Sequence, residues 1–190
     1  TTLGTNALLM RQGVRTALFI TEGFGDLLRI GTQQRPDLFA LDIKRPEPLY
    51  AEVVEVRERL AADGSVLRAL DVQAADEAAA RLAGQGIDSA AVALAHSHRN
   101  AAHEEHLKDV LTCRGFRHIS CSAELAPFIR LLPRAETAVV DAYLAPVIRA
   151  YLDRVCASTA DPKGRPTGPP GGPAGGASSR LHVMTSAGGL

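Results

Sequence analysis

The residues best suited to chemistry cluster in the middle of this chain. His96 and His98 flank Ser97, and a few positions later His103-Glu104-Glu105-His106 sets two more imidazoles around two carboxylates. A zinc-binding helix of the HExxH kind places its histidines at i and i+4, on one face. Here the second histidine comes at i+3, so the rings diverge. An HxH pair just past a strand serves more often as a cap and a solvated ring than as a chelate, so no metal site is assigned. Nucleophilic catalysis meets a similar limit. Ser97, Ser120, Ser122 and Ser186 all fall near expected strand ends, but none stands in a GxSxG elbow. Cys113 and Cys121 read as small buried residues rather than thiolates. These patterns leave the catalytic residues unknown.

Groups suited to anions lie elsewhere. Arg134 follows Pro133 near the start of a long expected helix, where the dipole disfavours a cation that lacks an anionic partner. That partner is a substrate carboxylate on one reading, and Glu136 or plain solvation on the other. Thr1-Thr2 leads into a helix, and Ser186-Ala187-Gly188-Gly189 follows a strand. Hydroxyls and bare N–H groups in such turns hold phosphate oxygens. A third turn, Gly23-Phe24-Gly25-Asp26, ends an apolar strand and opens a helix, where α/β proteins place ligand phosphates or simply need glycine for a positive φ.

The elements that position these groups follow from periodicity. Thr1–Gln12 has a helical apolar face stopped by Gly13, and Val14–Ile20 is a buried strand. Gln33–Pro48 is a long loop. Val53–Leu60 alternates as a half-exposed strand, and Asp63-Gly64 is a hairpin turn before a returning strand over Val66–Val72. From there helix and strand alternate: Ala74–Ala83 helix, Ile87–Ala95 strand, Asn100–Arg114 helix capped by Asn100, and Phe116–Cys121 strand. That order predicts a parallel sheet with crossover helices. Pro133 marks a break. Arg134–Cys156 is a helix with Val139, Tyr143, Leu144, Val147, Ile148, Tyr151, Leu152 and Val155 in one stripe, kinked or divided at Pro146. The expected division is an α/β domain over 1–158, a Gly/Pro-rich flexible linker over 159–179, and the first strand and turn of a second domain over 180–190.

Bulk composition excludes several classes. Lys plus Arg and Asp plus Glu both number 21, so no net field recruits nucleic acid or an anionic membrane. No apolar run approaches the roughly 20 residues that span a bilayer. Three widely spaced cysteines make no disulfide framework and suit a reducing cytoplasm.

The motifs, taken in order, resemble the hydantoinase A/5-oxoprolinase family. They are Thr1-Thr2-Leu3-Gly4-Thr5-Asn6-Ala7-Leu8-Leu9, Gly23-Phe24-Gly25-Asp26 with Ile30-Gly31, Arg35-Pro36-Asp37-Leu38, His96-Ser97, Ala102-His103-Glu104, Ser122-Ala123-Glu124, Asp141-Ala142-Tyr143-Leu144 and Met184–Leu190. Ile30-Gly31-Thr32-Gln33, Asp37-Leu38-Phe39 and Leu132-Pro133-Arg134 with Thr137 are similar to the 5-oxoprolinase branch. Pro133, Glu136 and Asp141 depart from the hydantoinase pattern of Glu, Ser and Asn at those places.

The resemblance implies an actin-like (sugar-kinase/Hsp70-type) ATPase half, and ATP-driven cleavage of 5-oxo-L-proline to L-glutamate through phosphorylation of the amide oxygen. It further implies ATP and Mg²⁺ as cofactors, the remaining domains of the same enzyme as partners, and a cytoplasmic homo-oligomer. Thr1, Thr2, Ser186, Gly188 and Gly189 are expected at the nucleotide, and Asn6 and Arg134 at the substrate. The family's N-terminal Asp/Gly-rich phosphate hairpin is absent, so the chain is expected to be an inactive fragment. The alternatives are a hydantoinase A-type or ATP-dependent carboxylase subunit, or a non-catalytic domain that keeps the fold.

Overall fold

Buried strands need apolar residues on both faces, and TALFIT and SAAVA supply them. A computed structural model describes residues 2–33 and 47–160, and it places these two strands at the centre of one parallel sheet. In chain order the elements are α1 (Thr2–Leu9), β1 (Thr16–Thr21), α2 (Leu27–Ile30), β2 (Glu52–Val56), β3 (Arg59–Leu60) and β4 (Val66–Arg68). Then come α3 (Val72–Gly84), β5 (Ser89–Ala93), α4 (Ala102–Cys113), β6 (His118–Cys121), α5 (Ser122–Leu125) and α6 (Leu131–Ala160). The sheet order is β2-β1-β5-β6, every pair parallel, with Leu18 opposite Val53 on one side and Ala91 on the other. β1 and β5 are buried throughout, whereas β2 and β6 expose part of their length, as edge strands do.

Side-chain alternation along β1 builds two cores. Ala17 and Phe19 face α3 and α4, meeting Ala79, Leu82, Leu107 and Leu111, with Phe116 edge-on to Phe19 at 6.3 Å between ring centroids. Leu18 and Ile20 face the other way and meet Ala135, Ala138, Val139 and Ala142 of α6. The chain divides into two compact units, Thr1–Val147 and Ile148–Leu190. Sheet, hairpin and α1–α5 lie in the first. The described part of the second continues α6 to Ala160.

Several expectations need revision. Val53–Leu60 is two strands, not one: β2 pairs with β1, then the chain turns at Arg57-Glu58 and β3 pairs antiparallel with β4. Asn100 does not cap α4. Ala101 holds the cap position, while the Asn100 side chain accepts from Ala102 N (3.1 Å) and donates to Gly64 O (2.9 Å), tying the hairpin turn to the helix start. Pro133 is no break, because it stands in the first turn of α6, where a missing N–H costs nothing. Of the apolar stripe along α6, Val139, Tyr143 and Leu144 are buried, and alanines at 135, 138 and 142 are buried completely against the sheet. Cys113 is exposed, not buried.

Pro146 does not end α6. Lacking an N–H, it leaves the carbonyl four residues earlier without its helical partner. Ser89 Oγ donates to that Ala142 carbonyl at 2.7 Å, and Val14 N donates to the Tyr143 carbonyl at 3.1 Å. The defect in the helix is thereby its attachment to the starts of β5 and β1. Gly13 sits in the same corner. A Cβ there would lie 2.2 Å from the Tyr143 ring, so only glycine permits this approach. The long loop expected over Gln33–Pro48, the linker and the second-domain strand fall wholly or largely outside the described residues.

Candidate functional site

The chain leaves β1 toward β2 and leaves β5 toward β6, in opposite directions across the sheet. The C-terminal ends of β1 and β5 therefore flank a topological switch point, the place where open parallel sheets bind ligands. Four groups of polar residues are gathered along this edge.

The first is the turn after β1. Gly23, at φ +90°, and Gly25 aim their backbone N–H groups at one point, as an anion nest does. That point is already filled, because Glu55 Oε1 accepts from Gly23 N at 3.1 Å and from Gly25 N at 2.9 Å. The turn binds a carboxylate from the neighbouring strand β2. Arg59 stacks on Phe24, 5.4 Å from the ring centroid, and Arg68 pairs with Glu22 at 2.9 Å, so the hairpin holds the turn from outside.

Beneath this turn runs a buried chain of hydrogen bonds. Ala95 N donates to Thr21 Oγ1 at 2.8 Å, Thr21 donates to Glu58 Oε1, and His103 Nδ1 lies 2.7 Å from Glu58 Oε2. A backbone amide can only donate, which turns the threonine hydroxyl toward Glu58. The four members come from the ends of β1, β2 and β5 and from the first turn of α4.

A third group centres on Glu104, which is 1% exposed. Its Oε1 accepts from Leu94 N (2.9 Å), Ser97 Oγ (2.8 Å) and Ser122 Oγ (2.7 Å), and its Oε2 from Ala123 N (2.9 Å). Arg134, fully buried, donates through Nη1 to both serine oxygens and through Nη2 to Leu94 O at 2.8 Å. The serines thus relay between guanidinium and carboxylate, whose nearest N···O distance is 3.8 Å. Burial pulls Arg134 below the ordinary arginine range, and the Glu104 charge opposes that shift.

The fourth group is the histidine pair. His96 adopts φ +60°, an uncommon conformation for a non-glycine residue, and its ring centroid lies 6.1 Å from that of His98. His98 Nδ1 is buried with no hydrogen-bond partner. Its pKa is lowered first by burial and then by the charges of Arg134, Arg99 and His96. Cys121, buried against Glu104, is pushed up to about 12, chiefly by desolvation and next by that carboxylate.

Of the residues singled out by type, Arg134 is at this edge, yet its Nη groups serve protein partners. Its anionic partner is Glu104, neither Glu136 nor solvent. Asn6 is exposed on α1. Thr1, Ser186, Gly188 and Gly189 lie outside the described residues, as does the side chain of Thr2. The Gly23–Gly25 nest is not open to a phosphate, because Glu55 takes both of its N–H groups. Among the described residues no three metal-ligating side chains converge. A separate cavity of about 340 Å³ lies between α1, α2 and α6, lined by Leu8, Leu28, Leu49, Tyr50 and Val139 among others.

Glu58 and Glu104 escaped the reading by residue type, but both left a signal. Along 54, 56, 58 and 60 the even positions point inward, and Glu58 is a charge between Val56 and Leu60 in that buried register. Glu104 stands one turn ahead of Leu107 and Leu111 on the buried face of α4.

Fold and edge together define a parallel α/β domain with polar groups gathered at its switch point. Its sequence matches the profile of the hydantoinase/oxoprolinase N-terminal region over residues 1–115, and the chain belongs to that family. It is 40% identical to 5-oxoprolinase 1 of Arabidopsis thaliana over 184 residues, covering 87% of this chain and 14% of that protein. It is 38% identical to the 5-oxoprolinase of Saccharomyces cerevisiae over 186 residues, covering 83% of this chain and 14% of that one. Among solved structures, the ATP-dependent caprolactamase from Pseudomonas jessenii superposes with a TM-score of 0.74 at 30% identity, over 83% of this chain and 24% of its own. The chain thus spans about a seventh of the length of these oxoprolinase relatives.

Proposed function

We propose that this chain is the N-terminal α/β part of an ATP-dependent 5-oxoprolinase, which opens 5-oxo-L-proline to L-glutamate. The observation that carries this reading is the identity of about 40% with proteins named 5-oxoprolinase over most of the chain. The clustered polar groups at the sheet's C-terminal edge support it from the structural side. In this reading the domain is one half of an actin-like ATPase body. ATP with Mg²⁺ is a co-substrate held by Thr1, Thr2, Ser186, Gly188, Gly189 and parts of the enzyme beyond this chain. Asn6 belongs to the substrate side. Arg134 acts indirectly there, by shaping the strand ends. The complete enzyme is a cytoplasmic homo-oligomer, and the 190-residue chain alone turns nothing over.

Release of glutamate from 5-oxo-L-proline by the complete protein, with and without ATP, is the direct test. ATP-dependent release is the expected result. Preferred cleavage of caprolactam or a hydantoin would replace 5-oxoproline with the other substrate, a reading that the caprolactamase likeness keeps specific. Glutamate release by the 190 residues alone would overturn the expectation of inactivity.

A further inference from the structure

The Thr21–Glu58–His103 chain is more than a staple between strand ends. Three elements converge on Glu58, which has a fully buried carboxylate and no Lys or Arg within ion-pair distance among the described residues. Its nearest nitrogen partner is an imidazole. The chain of donors has one direction: the Ala95 amide donates to Thr21, and Thr21 donates to Glu58. An ionised carboxylate only accepts, so the His103 nitrogen facing it carries the hydrogen. In the neutral ring this leaves Nε2 with its lone pair bare. Nε2 makes no hydrogen bond among the described residues. The imidazole keeps a tenth of its surface open at the edge where β1 and β5 flank the switch point. A carboxylate that fixes one ring nitrogen so that the other is presented as an acceptor is the positioning logic of a histidine at work on a ligand.

We propose that His103 accepts, through Nε2, a hydrogen bond from the ring N–H of a cyclic-amide substrate, and that Glu58 and Thr21 are the residues that position it. The proposal rests on the cyclic-amide reading above. A lactam presents one donor, its N–H, beside one acceptor, its carbonyl. The bare Nε2 matches the donor and discriminates against rings that lack it. A ring without that N–H forfeits this hydrogen bond, and Nε2 then has no partner in the complex.

The test uses the complete protein and the His103→Asn variant. Asparagine can still donate to Glu58 in place of Nδ1 but has nothing at the Nε2 position, so a merely structural role would survive it. For 5-oxo-L-proline, kcat/KM is expected to fall about 10- to 100-fold, the loss of one buried hydrogen bond. For N-methyl-5-oxoproline, which offers no donor, wild type and variant should be alike. Glu58→Gln should reproduce part of the loss for the N–H substrate only. Equal losses on both rings, no loss, or a change confined to the KM for ATP would each overturn the proposal. Binding of the two rings by calorimetry separates this idea from the functional reading. Donor-dependent binding lost in His103→Asn, without turnover, sinks the oxoprolinase reading and keeps the site. Binding of neither ring sinks the site.

Discussion

Removing Glu104 should do more damage than removing any other charged residue among those described. Two backbone amides, Leu94 N and Ala123 N, and two serine hydroxyls donate to it, and Arg134 has it as counter-charge. Glu104→Ala strips all five. An uncompensated buried cation costs about 3–5 kcal/mol, and each orphaned buried amide about 1–3 kcal/mol more. Those sums reach the whole stability of an ordinary domain, about 5–15 kcal/mol, so this variant is expected to be unfolded. Glu104→Gln is the informative change. Its oxygen can keep the donors at Oε1, but its NH₂ meets the Ala123 N–H donor to donor, and Arg134 loses its charge partner. The expected loss is about 3–5 kcal/mol. Arg134→Met leaves the carboxylate with its four donors and should cost less, about 3 kcal/mol. The double variant, with a neutral network, should be more stable than the sum of the singles implies by at least about 2 kcal/mol. Urea unfolding followed by circular dichroism measures all three. Additivity within about 0.5 kcal/mol would show that the two charges are not coupled, and the reasoning would fail.

Other expectations are simpler. Gly13→Ala should destabilise the fold by about 1–3 kcal/mol through overpacking against the Tyr143 ring, read as a lowered urea midpoint at unchanged m. Ser89→Ala should cost about 1–3 kcal/mol, because the Ala142 carbonyl, already without its helical donor at Pro146, is left bare. Cys113 and Cys156 should react with a thiol reagent at pH 8 in the native protein while Cys121, pushed up to about 12, stays unlabelled until unfolding. His98 binds its proton less readily folded than unfolded. The unfolded chain therefore gains protons first as pH falls below about 6.5, and this contribution to stability is present above that value and lost below it. His98→Gln should flatten the fall in melting temperature between pH 7 and 5, and an unchanged slope would remove His98 as its source.

The sequence spoke most clearly where a single period held. SAAVA and TALFIT are buried strands because nothing in them is polar beyond a hydroxyl, and alternating helix and strand made the sheet parallel. It spoke less clearly where a polar residue occupied a position reserved for apolar ones. Reading VVEVRERL as one alternating strand caught the inward register but did not single out Glu58. It also missed the turn that hands the chain from sheet to hairpin. Arg134 was identified as a cation in need of an anion, yet its partner lies 30 residues away in sequence, and only the packing of α6 over β5 brings the two together. The Gly23–Gly25 turn has the chemistry of an anion nest, as its glycines suggest. What sequence spacing could not reveal is that Glu55 occupies it.

The two attachments of α6 to β5 have a metrical consequence. At the start of the strand Ser89 holds the Ala142 carbonyl, and at its end Leu94 O receives Arg134. Five residues of strand span about 16–17 Å, whereas the eight residues of helix between the same two pins span about 12 Å. The mismatch of about 4–5 Å is spanned by the arginine side chain, whose Nη2 reaches Leu94 O. The proline at one end and the arginine at the other therefore act as a gauge. Sliding the helix by a single turn would move both pins about 5 Å off their marks, so the position of the guanidinium beneath the strand ends is set by a residue at the opposite edge of the sheet.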